Sequence, residues 1–195
     1  MKERFTIAMP PWLKGFLVAR PRDFGTPEGR MAFAIALSAE NARRGTGGPF
    51  GAAVFSVATR ELVSCGVNRV VSENASIAHA EIMALTLAER TIASWDLGPA
   101  NLELVSSAAP CAMCLGAVVW SGARALMIGA RREDVERYAG FDEGPIPPDW
   151  KAEFDRRGIA VQTDILRIEA AAILDAYGKS GGAVYNSKAN RLRGV

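Results

Sequence analysis

The stretch S-A-A-P-C-A-M-C-L, residues 107–115, contains two of the three cysteines in this chain of 195 residues. A second stretch, A-H-A-E-I at residues 78–82, contains the only histidine, His79. One imidazole and the two thiolates of Cys111 and Cys114 are three ligands of the kind that catalytic zinc uses, with a fourth position left open. A structural zinc site takes four protein ligands. The two stretches therefore predict a catalytic zinc centre.

The spacing of the two cysteines fits a single helix. Residues three apart lie on one helix face, and Pro110 suits the first helical position. A helix N-terminus also lowers the pKa of a thiol, which favours metal binding by the thiolates. Glu81, two residues after His79, is placed to move protons rather than to bind metal. The combined pattern H-x-E…P-C-x-x-C is the established signature of zinc-dependent deaminases.

Two other interpretations of these residues remain open. C-x-x-C alone could be a redox pair. Cys65 could provide a fourth ligand and close the zinc site. We favour a buried strand position for Cys65, because a free cysteine often behaves as a small hydrophobic residue.

Composition limits the choice of partner and location. The length predicts one domain, and 49% hydrophobic with 23% charged residues is ordinary globular composition. A net charge of +2 is too small to predict a nucleic-acid or membrane-surface partner. Two of three cysteines assigned to metal leave no disulfide framework, so we expect a cytoplasmic protein. Pro10 and Pro11 break the only apolar stretch behind the charged N-terminus, so no export signal is expected.

Residues 104–123 carry no charge, and twenty apolar or neutral residues are long enough for a membrane span. The stretch contains Pro110 and three serines. It is better interpreted as a strand, a turn and a buried helix.

The predicted order of elements is β-β-α-β-α-β followed by helix. Crossover helices imply parallel pairing beside a hairpin, so we predict an α/β, three-layer α/β/α fold with a mixed central sheet of about five strands. A single domain would span 1–195, with an extended N-terminal arm at 1–25 and a C-terminal tail at 179–195. Helices are predicted at 27–44, 79–93, 111–121, 131–138, 150–157 and 165–177, strands at 50–57, 61–67, 102–107, 125–130 and 159–163, and a polar loop at 71–76.

Six motifs carry a family resemblance that extends over nearly the whole chain. They are G-G-P-F-G-A-A-V at 47–54, V-N-R-V-V at 67–71, A-H-A-E-I-M-A-L at 78–85, P-C-A-M-C-L-G-A at 110–117, G-F-D-E-G-P at 140–145 and G-G-A-V-Y-N at 181–186. With them the chain resembles the cytidine/deoxycytidylate deaminase superfamily and, within it, the bacterial guanine deaminases. The resemblance implies a cytidine-deaminase-like fold and a homodimer, often with exchanged C-terminal tails.

The resemblance also implies a role for each zinc-site residue. His79, Cys111 and Cys114 would hold one Zn²⁺ per subunit with a bound water or hydroxide. Glu81 would shuttle protons. Independently of the resemblance, we expect the backbone N–H groups near Ala80 and Cys111 to contact the substrate and stabilise its developing negative charge.

For the substrate, the resemblance implies a pocket for a purine. Asn68 would hydrogen-bond the base, Phe50 and Phe141 would sandwich it, Glu143 would contact guanine and assist proton transfer, and Tyr185 in the tail would cap a site.

Each pocket residue also has a structural interpretation. Asn68 could serve only a turn, Glu143 could be a solvated loop acid, and Phe50 and Phe141 could be ordinary core. Tyr185 could be disordered near the terminus.

Ala109 and Trp95 lie outside these motifs. Many relatives have glutamate where this chain has Ala109, a position that is not a zinc ligand and is expected to have a supporting role. Trp95 is expected to serve packing rather than the pocket.

The sequence therefore predicts hydrolytic deamination of guanine to xanthine and ammonia. The same chemistry on guanosine, cytosine, an aminotriazine such as ammeline or an adenosine in tRNA is the alternative. A non-catalytic, zinc-stabilised interaction module is an alternative from another class, but such a module has no use for Glu81.

Overall fold

The protein is described by a computed structural model covering residues 6–19 and 23–185. Its centre is a five-stranded sheet in the order β2-β1-β3-β4-β5. Strand β1 pairs antiparallel with β2 and β3, whereas β3, β4 and β5 are mutually parallel. The predicted mixed sheet is confirmed. The strands are β1 (Gly51–Ser56), β2 (Leu62–Val67), β3 (Leu102–Ala108), β4 (Ala125–Ala130) and β5 (Ala160–Gln162).

Helices cover both faces of this sheet. They are α1 (Trp12–Ala19), α2 (Pro27–Arg43), α3 (Val70–Glu73), α4 (Ala80–Ile92), α5 (Ala112–Ser121), α6 (Arg132–Asp134) with a π-helical turn at Val135–Ala139, α7 (Trp150–Arg156) and α8 (Arg167–Lys179).

Two apolar layers follow from the alternation of side chains along a strand. In β1, Ala53 and Phe55 pack on the side of α2 and α8, whereas Ala52 and Val54 pack on the side of α4 and α5. The three-layer α/β/α arrangement is therefore confirmed.

A glycine brings the helix behind the candidate site close to the sheet. A Cβ added at Gly66 in β2 would lie 2.3 Å from the carbonyl oxygen of Ala80. Only glycine permits this approach, which places the N-terminus of α4 against the end of β2.

Two predicted segments were wrong. The segment 1–25 is not an extended arm, because Trp12–Ala19 forms a helix; residues 1–5 and 20–22 lie outside the described residues. Pro10 and Pro11 precede the first helical turn, where proline is tolerated. The predicted polar loop at 71–76 begins within a one-turn helix, Val70–Glu73, which ends at Asn74 with a left-handed φ of 50°.

Trp95 was also misjudged. Its side chain is 79% exposed, so it serves neither the core nor the pocket.

Among the described residues, no helix is long and apolar enough to cross a membrane. The uncharged stretch 104–123 divides between β3, a turn and α5, as its proline and serines predicted.

A buried ion pair joins α2 to β3. Arg30 and Glu103 are each 2% exposed, and Arg30 Nε lies 2.8 Å from Glu103 Oε1, an ion contact that is not aligned as a hydrogen bond. Arg30 also donates to the carbonyl of Phe24 at 2.7 Å. Burial raises the pKa of Glu103. The positive charge of Arg30 and, more weakly, that of Arg60 lower it.

We expect Arg30→Met to lower the free energy of unfolding by about 3 kcal/mol, because one partner of a buried pair is removed while the other stays buried. Urea unfolding followed by circular dichroism measures this. Arg60→Met is the control, since Arg60 is exposed and 3.9 Å from the same oxygen, and should cost less than about 1 kcal/mol. Equal losses in the two variants would contradict the assignment.

Candidate active site

The three predicted zinc ligands lie together at the starts of two helices. His79 directly precedes α4, Cys111 directly precedes α5, and Cys114 lies in the first turn of α5. Their ligand atoms all lie within 4.8 Å of one another. His79 Nδ1 is 3.6 Å from the sulfur of Cys111 and 3.7 Å from that of Cys114. Ligands of a tetrahedral zinc are about 3.5 Å apart for Zn–S and Zn–N bonds of about 2.3 and 2.0 Å, so the geometry fits the metal.

The two thiols differ in their protonation. The pKa of Cys111 is lowered to about 4, first because it hydrogen-bonds the Cys114 thiol and also because His79 lies beside it. The pKa of Cys114 is raised, first by that same hydrogen bond and then by burial. One thiolate is thus already favoured, and zinc binding would displace the proton from the second.

Cys65 does not join this group. It is buried in β2, where it packs with Val67 on the α2 side of the sheet. The neighbouring Ser64 instead hydrogen-bonds the carbonyl of Ala84 in α4, at 2.7 Å. Because successive side chains of a strand point to opposite faces, Cys65 points away from His79. The closed site with Cys65 as fourth ligand is therefore wrong.

Glu81 is buried in the first turn of α4 and lines the cavity beside the zinc ligands. Burial raises its pKa, as does the nearby negative charge of Cys111. Ser106 of β3 donates a long hydrogen bond of 3.5 Å to Glu81 Oε1. A carboxyl group with a raised pKa beside the metal site can take up a proton and later release it, so it can act as a general base and a general acid.

Glu143 is held against the zinc helix by its own backbone. Its carbonyl accepts the N–H of Ala112 at 3.0 Å, in the first turn of α5. Asp142 Oδ1 accepts the N–H of Gly144 at 2.9 Å, and Gly144 has a φ of +75° that glycine adopts without strain. The side chain of Glu143 is buried, and burial, with the charges of Cys111 and Glu81, raises its pKa to about 8. Glu143 is therefore not a solvated loop acid.

Asn68 directly follows β2, and hydrogen bonds hold its side chain in one orientation. Its Oδ1 accepts the backbone N–H groups of Gly48 and Val70, both at 3.3 Å. Its Nδ2 donates to the hydroxyl of Tyr185 at 2.6 Å. The donor half of the amide therefore faces the cavity, where it can meet an acceptor atom of a ligand.

Three aromatic rings close the cavity. Phe50 and Phe141 meet edge to face with ring centroids 5.1 Å apart, and Phe141 lies 4.8 Å from the ring of Tyr185. Holding a third ring between two others needs about 7 Å between the outer rings. A purine sandwiched by Phe50 and Phe141 therefore requires these rings to separate.

The cavity has a volume of about 150 Å³. Ala80, which was predicted to contact the substrate, is fully buried and is not among the residues that line the cavity. Sequence reasoning missed Ser76, which lines the cavity, and Ser106, which contacts Glu81, since neither belongs to a motif. The lining residues are Phe50, Asn68, Val70, Ser76, His79, Glu81, Ala109, Cys111, Phe141, Asp142, Glu143 and Tyr185.

The arrangement around His79, Cys111 and Cys114 is shared with a known family. Residues 27–130 match the family model of the cytidine and deoxycytidylate deaminase zinc-binding region. The chain belongs to this deaminase family. Zinc is accordingly the metal for which the His/Cys/Cys group is built.

Similar deaminases and solved structures cover most of the chain. A guanine deaminase from Nitrosomonas europaea is 43% identical, over 92% of this chain and 98% of that chain, with a TM-score of 0.85. A structure solved in complex with 2,6-diaminopurine is 43% identical over 96% and 100%, with a TM-score of 0.85. A tRNA-specific adenosine deaminase from Buchnera aphidicola is 32% identical over 68% of this chain and 81% of the relative.

Proposed function

We propose that this protein is a zinc-dependent hydrolase that converts guanine and water to xanthine and ammonia. One observation carries the proposal: the zinc-ligand group opens into a small cavity that holds two buried carboxyl groups, Glu81 and Glu143, and the amide donor of Asn68. The likeness to a guanine deaminase over 92% of the chain supports the choice of substrate.

The reaction needs a proton carrier beside the metal. His79, Cys111 and Cys114 would hold the zinc ion, which would lower the pKa of a bound water. Glu81 takes the proton from the attacking water as the carbon–oxygen bond forms. It delivers this proton to the ring nitrogen. It then takes the remaining proton from the newly attached hydroxyl and delivers it to the amine, so that the carbon–nitrogen bond breaks, the carbonyl forms and ammonia leaves.

The remaining residues orient the base. Asn68 donates its amide hydrogen to an acceptor atom of the purine, and Phe50 and Phe141 contact the ring. The carboxyl group of Glu143 accepts a hydrogen bond from the amine of guanine or donates a proton to it. The backbone N–H group of Cys111, which lines the cavity, stabilises the negative charge that develops on the ring, whereas Ala80 does not line the cavity.

The cavity favours a free base over a nucleoside. Its volume of about 150 Å³ is small beside the roughly 300–1,000 Å³ of pockets that hold drug-sized ligands. Tyr185 closes one side, where it hydrogen-bonds Asn68. A ribose on the base would have to displace this tyrosine.

The tail and the quaternary structure form part of the same proposal. Tyr185 lies in the cavity of its own chain; Asn186 and the rest of the tail to residue 195 lie outside the described residues. In a homodimer with exchanged tails, a second copy would fill the same place. Two thiolate ligands and no disulfide framework favour a reducing environment, so we propose a cytoplasmic location.

The first test is ammonia release from purified, zinc-loaded protein with guanine, guanosine, adenine, cytosine, cytidine and ammeline. Turnover of guanine alone is expected. Preferential turnover of a nucleoside or triazine would overturn the substrate but keep the zinc chemistry. No ammonia release from any of the six compounds would overturn the proposal and favour a tRNA substrate or a non-catalytic module.

Salt dependence separates a free base from tRNA. A binder of several phosphates loses about 10³–10⁵ in affinity between roughly 50 and 200 mM salt. The net charge of +2 favours a nearly constant kcat/KM over this range. A steep decline would argue for a nucleic-acid substrate.

We expect Glu143→Gln to lower turnover of guanine at least about tenfold, because the amide cannot exchange the proton that the buried carboxyl carries. Steady-state ammonia release measures this, with zinc content determined alongside. Glu133→Gln, an exposed glutamate in α6, is the matched control and should leave turnover unchanged. Full activity in Glu143→Gln would remove Glu143 from the proposed mechanism.

A further inference from the structure

A buried amide outside the mechanism lies beneath the substrate side of the cavity. Asn41, near the end of α2, is fully buried. Its Nδ2 donates to the carbonyl oxygens of Gly48 and Asn68, both at 2.9 Å. Its Oδ1 accepts the hydroxyl hydrogen of Thr46 at 2.7 Å. Both donors and the acceptor atom of this side chain are therefore used.

These bonds join the two chain segments that orient Asn68. By bonding both carbonyl oxygens, Asn41 fixes the distance between the backbone of Gly48 and that of Asn68. The N–H of Gly48 in turn donates to Asn68 Oδ1 at 3.3 Å, which points the Nδ2 of Asn68 into the cavity. A Cβ added at Gly47 would lie 1.8 Å from the carbonyl oxygen of Asn68, so the loop lies directly against the strand end.

The network continues to the N-terminal helix. The hydroxyl of Thr46 accepts from the indole Nε1 of Trp12 at 3.0 Å while it donates to Asn41. Arg69, the next residue after Asn68, donates to the carbonyl of Thr46 at 2.6 Å and to that of Ala8 at 3.1 Å. The orientation of Asn68 is thus tied to the segment that precedes α2.

We propose that Asn41 is a positioning residue, which keeps the amide donor of Asn68 aimed at the purine. The inference rests on the proposed function, since it assumes that Asn68 binds the base. Asn41 itself touches neither the cavity nor the zinc ligands; it acts through Gly48 and Asn68.

A double-mutant cycle tests this mechanism. Asn41→Leu keeps the side-chain volume and removes both donors, and should raise KM for guanine about tenfold, the factor that corresponds to the loss of one or two hydrogen bonds. Zinc content and kcat should change much less. In an Asn68→Ala background the same substitution should add nothing to KM, because residues that act as one unit are not additive.

Thr46 provides a milder pair of variants if Asn41→Leu does not fold. Thr46→Val removes the hydroxyl at nearly constant volume and should raise KM about threefold, since one hydrogen bond to Asn41 Oδ1 is lost. Thr46→Ser keeps the hydroxyl and should behave like the wild type. Equal KM values for these two variants would overturn the inference.

The outcomes separate this inference from the proposed function. A wild type that does not deaminate guanine overturns the proposed function and the role of Asn41 with it. An active wild type with unchanged KM in Asn41→Leu overturns the positioning role alone. So does a double variant whose KM is the product of the two single effects.

Discussion

Glu81→Gln is expected to keep its zinc and to lose at least about a hundredfold in turnover, the lower end of what a general acid and base contributes. Glutamine has the same shape but cannot take a proton from the attacking water or hand one to the leaving amine. Because Glu81 lies beside the ligand group and outside it, metal content should stay at one zinc per chain. Ammonia release and zinc analysis on the same preparation measure both quantities.

The matched control for this variant lies two turns further along the same helix. Glu89 of α4 is not among the residues that line the cavity, and Glu89→Gln should retain wild-type turnover. Near-normal turnover in Glu81→Gln would remove Glu81 from the mechanism. Loss of zinc in that variant would show instead that Glu81 supports the ligands.

The zinc ligands and the sheet could be predicted because both depend on local sequence. Cys111 and Cys114 lie within one helix turn of each other, and Glu81 follows two residues after His79. Each strand is a short apolar run bounded by turn residues. Most predicted strand boundaries therefore agree with the observed ones within one or two residues. The role of Gly66 could not be predicted from the sequence, because it depends on how closely α4 approaches β2.

The residues that sequence reasoning missed act across long separations in the chain. Asn41 looks like one more polar residue at a helix end, and only the fold brings it to Asn68. Ser106 meets Glu81 because β3 passes behind α4. The helix at Trp12–Ala19 was missed because the prolines around it suggested an extended segment, while its packing against α2 overrides that preference.

The aromatic rings show a further limit of sequence reasoning. Motifs indicated that Phe50 and Phe141 line a pocket, but not that they meet edge to face at 5.1 Å. The angle between two rings depends on rotamers that packing selects, and no spacing in the sequence encodes it.

Cys114→Ala is expected to lose most of the bound zinc and at least about a thousandfold in turnover. A site with His79 and Cys111 alone has two ligands, too few for either the catalytic or the structural coordination of zinc. Without the metal, the pKa of water stays far above neutral pH, so the attacking nucleophile is lost. Metal analysis after dialysis and ammonia release from guanine check the two effects.

Cys65→Ala separates metal chemistry from packing. Both cysteines are buried, and both substitutions remove one sulfur atom, but Cys65 lies on the opposite side of the sheet from His79. This variant should keep its zinc and its turnover, with a loss of stability similar to that caused by Cys114→Ala in the metal-free protein. Zinc retained by Cys114→Ala, or lost by Cys65→Ala, would contradict the three-ligand site, because in either case a different set of atoms would hold the metal.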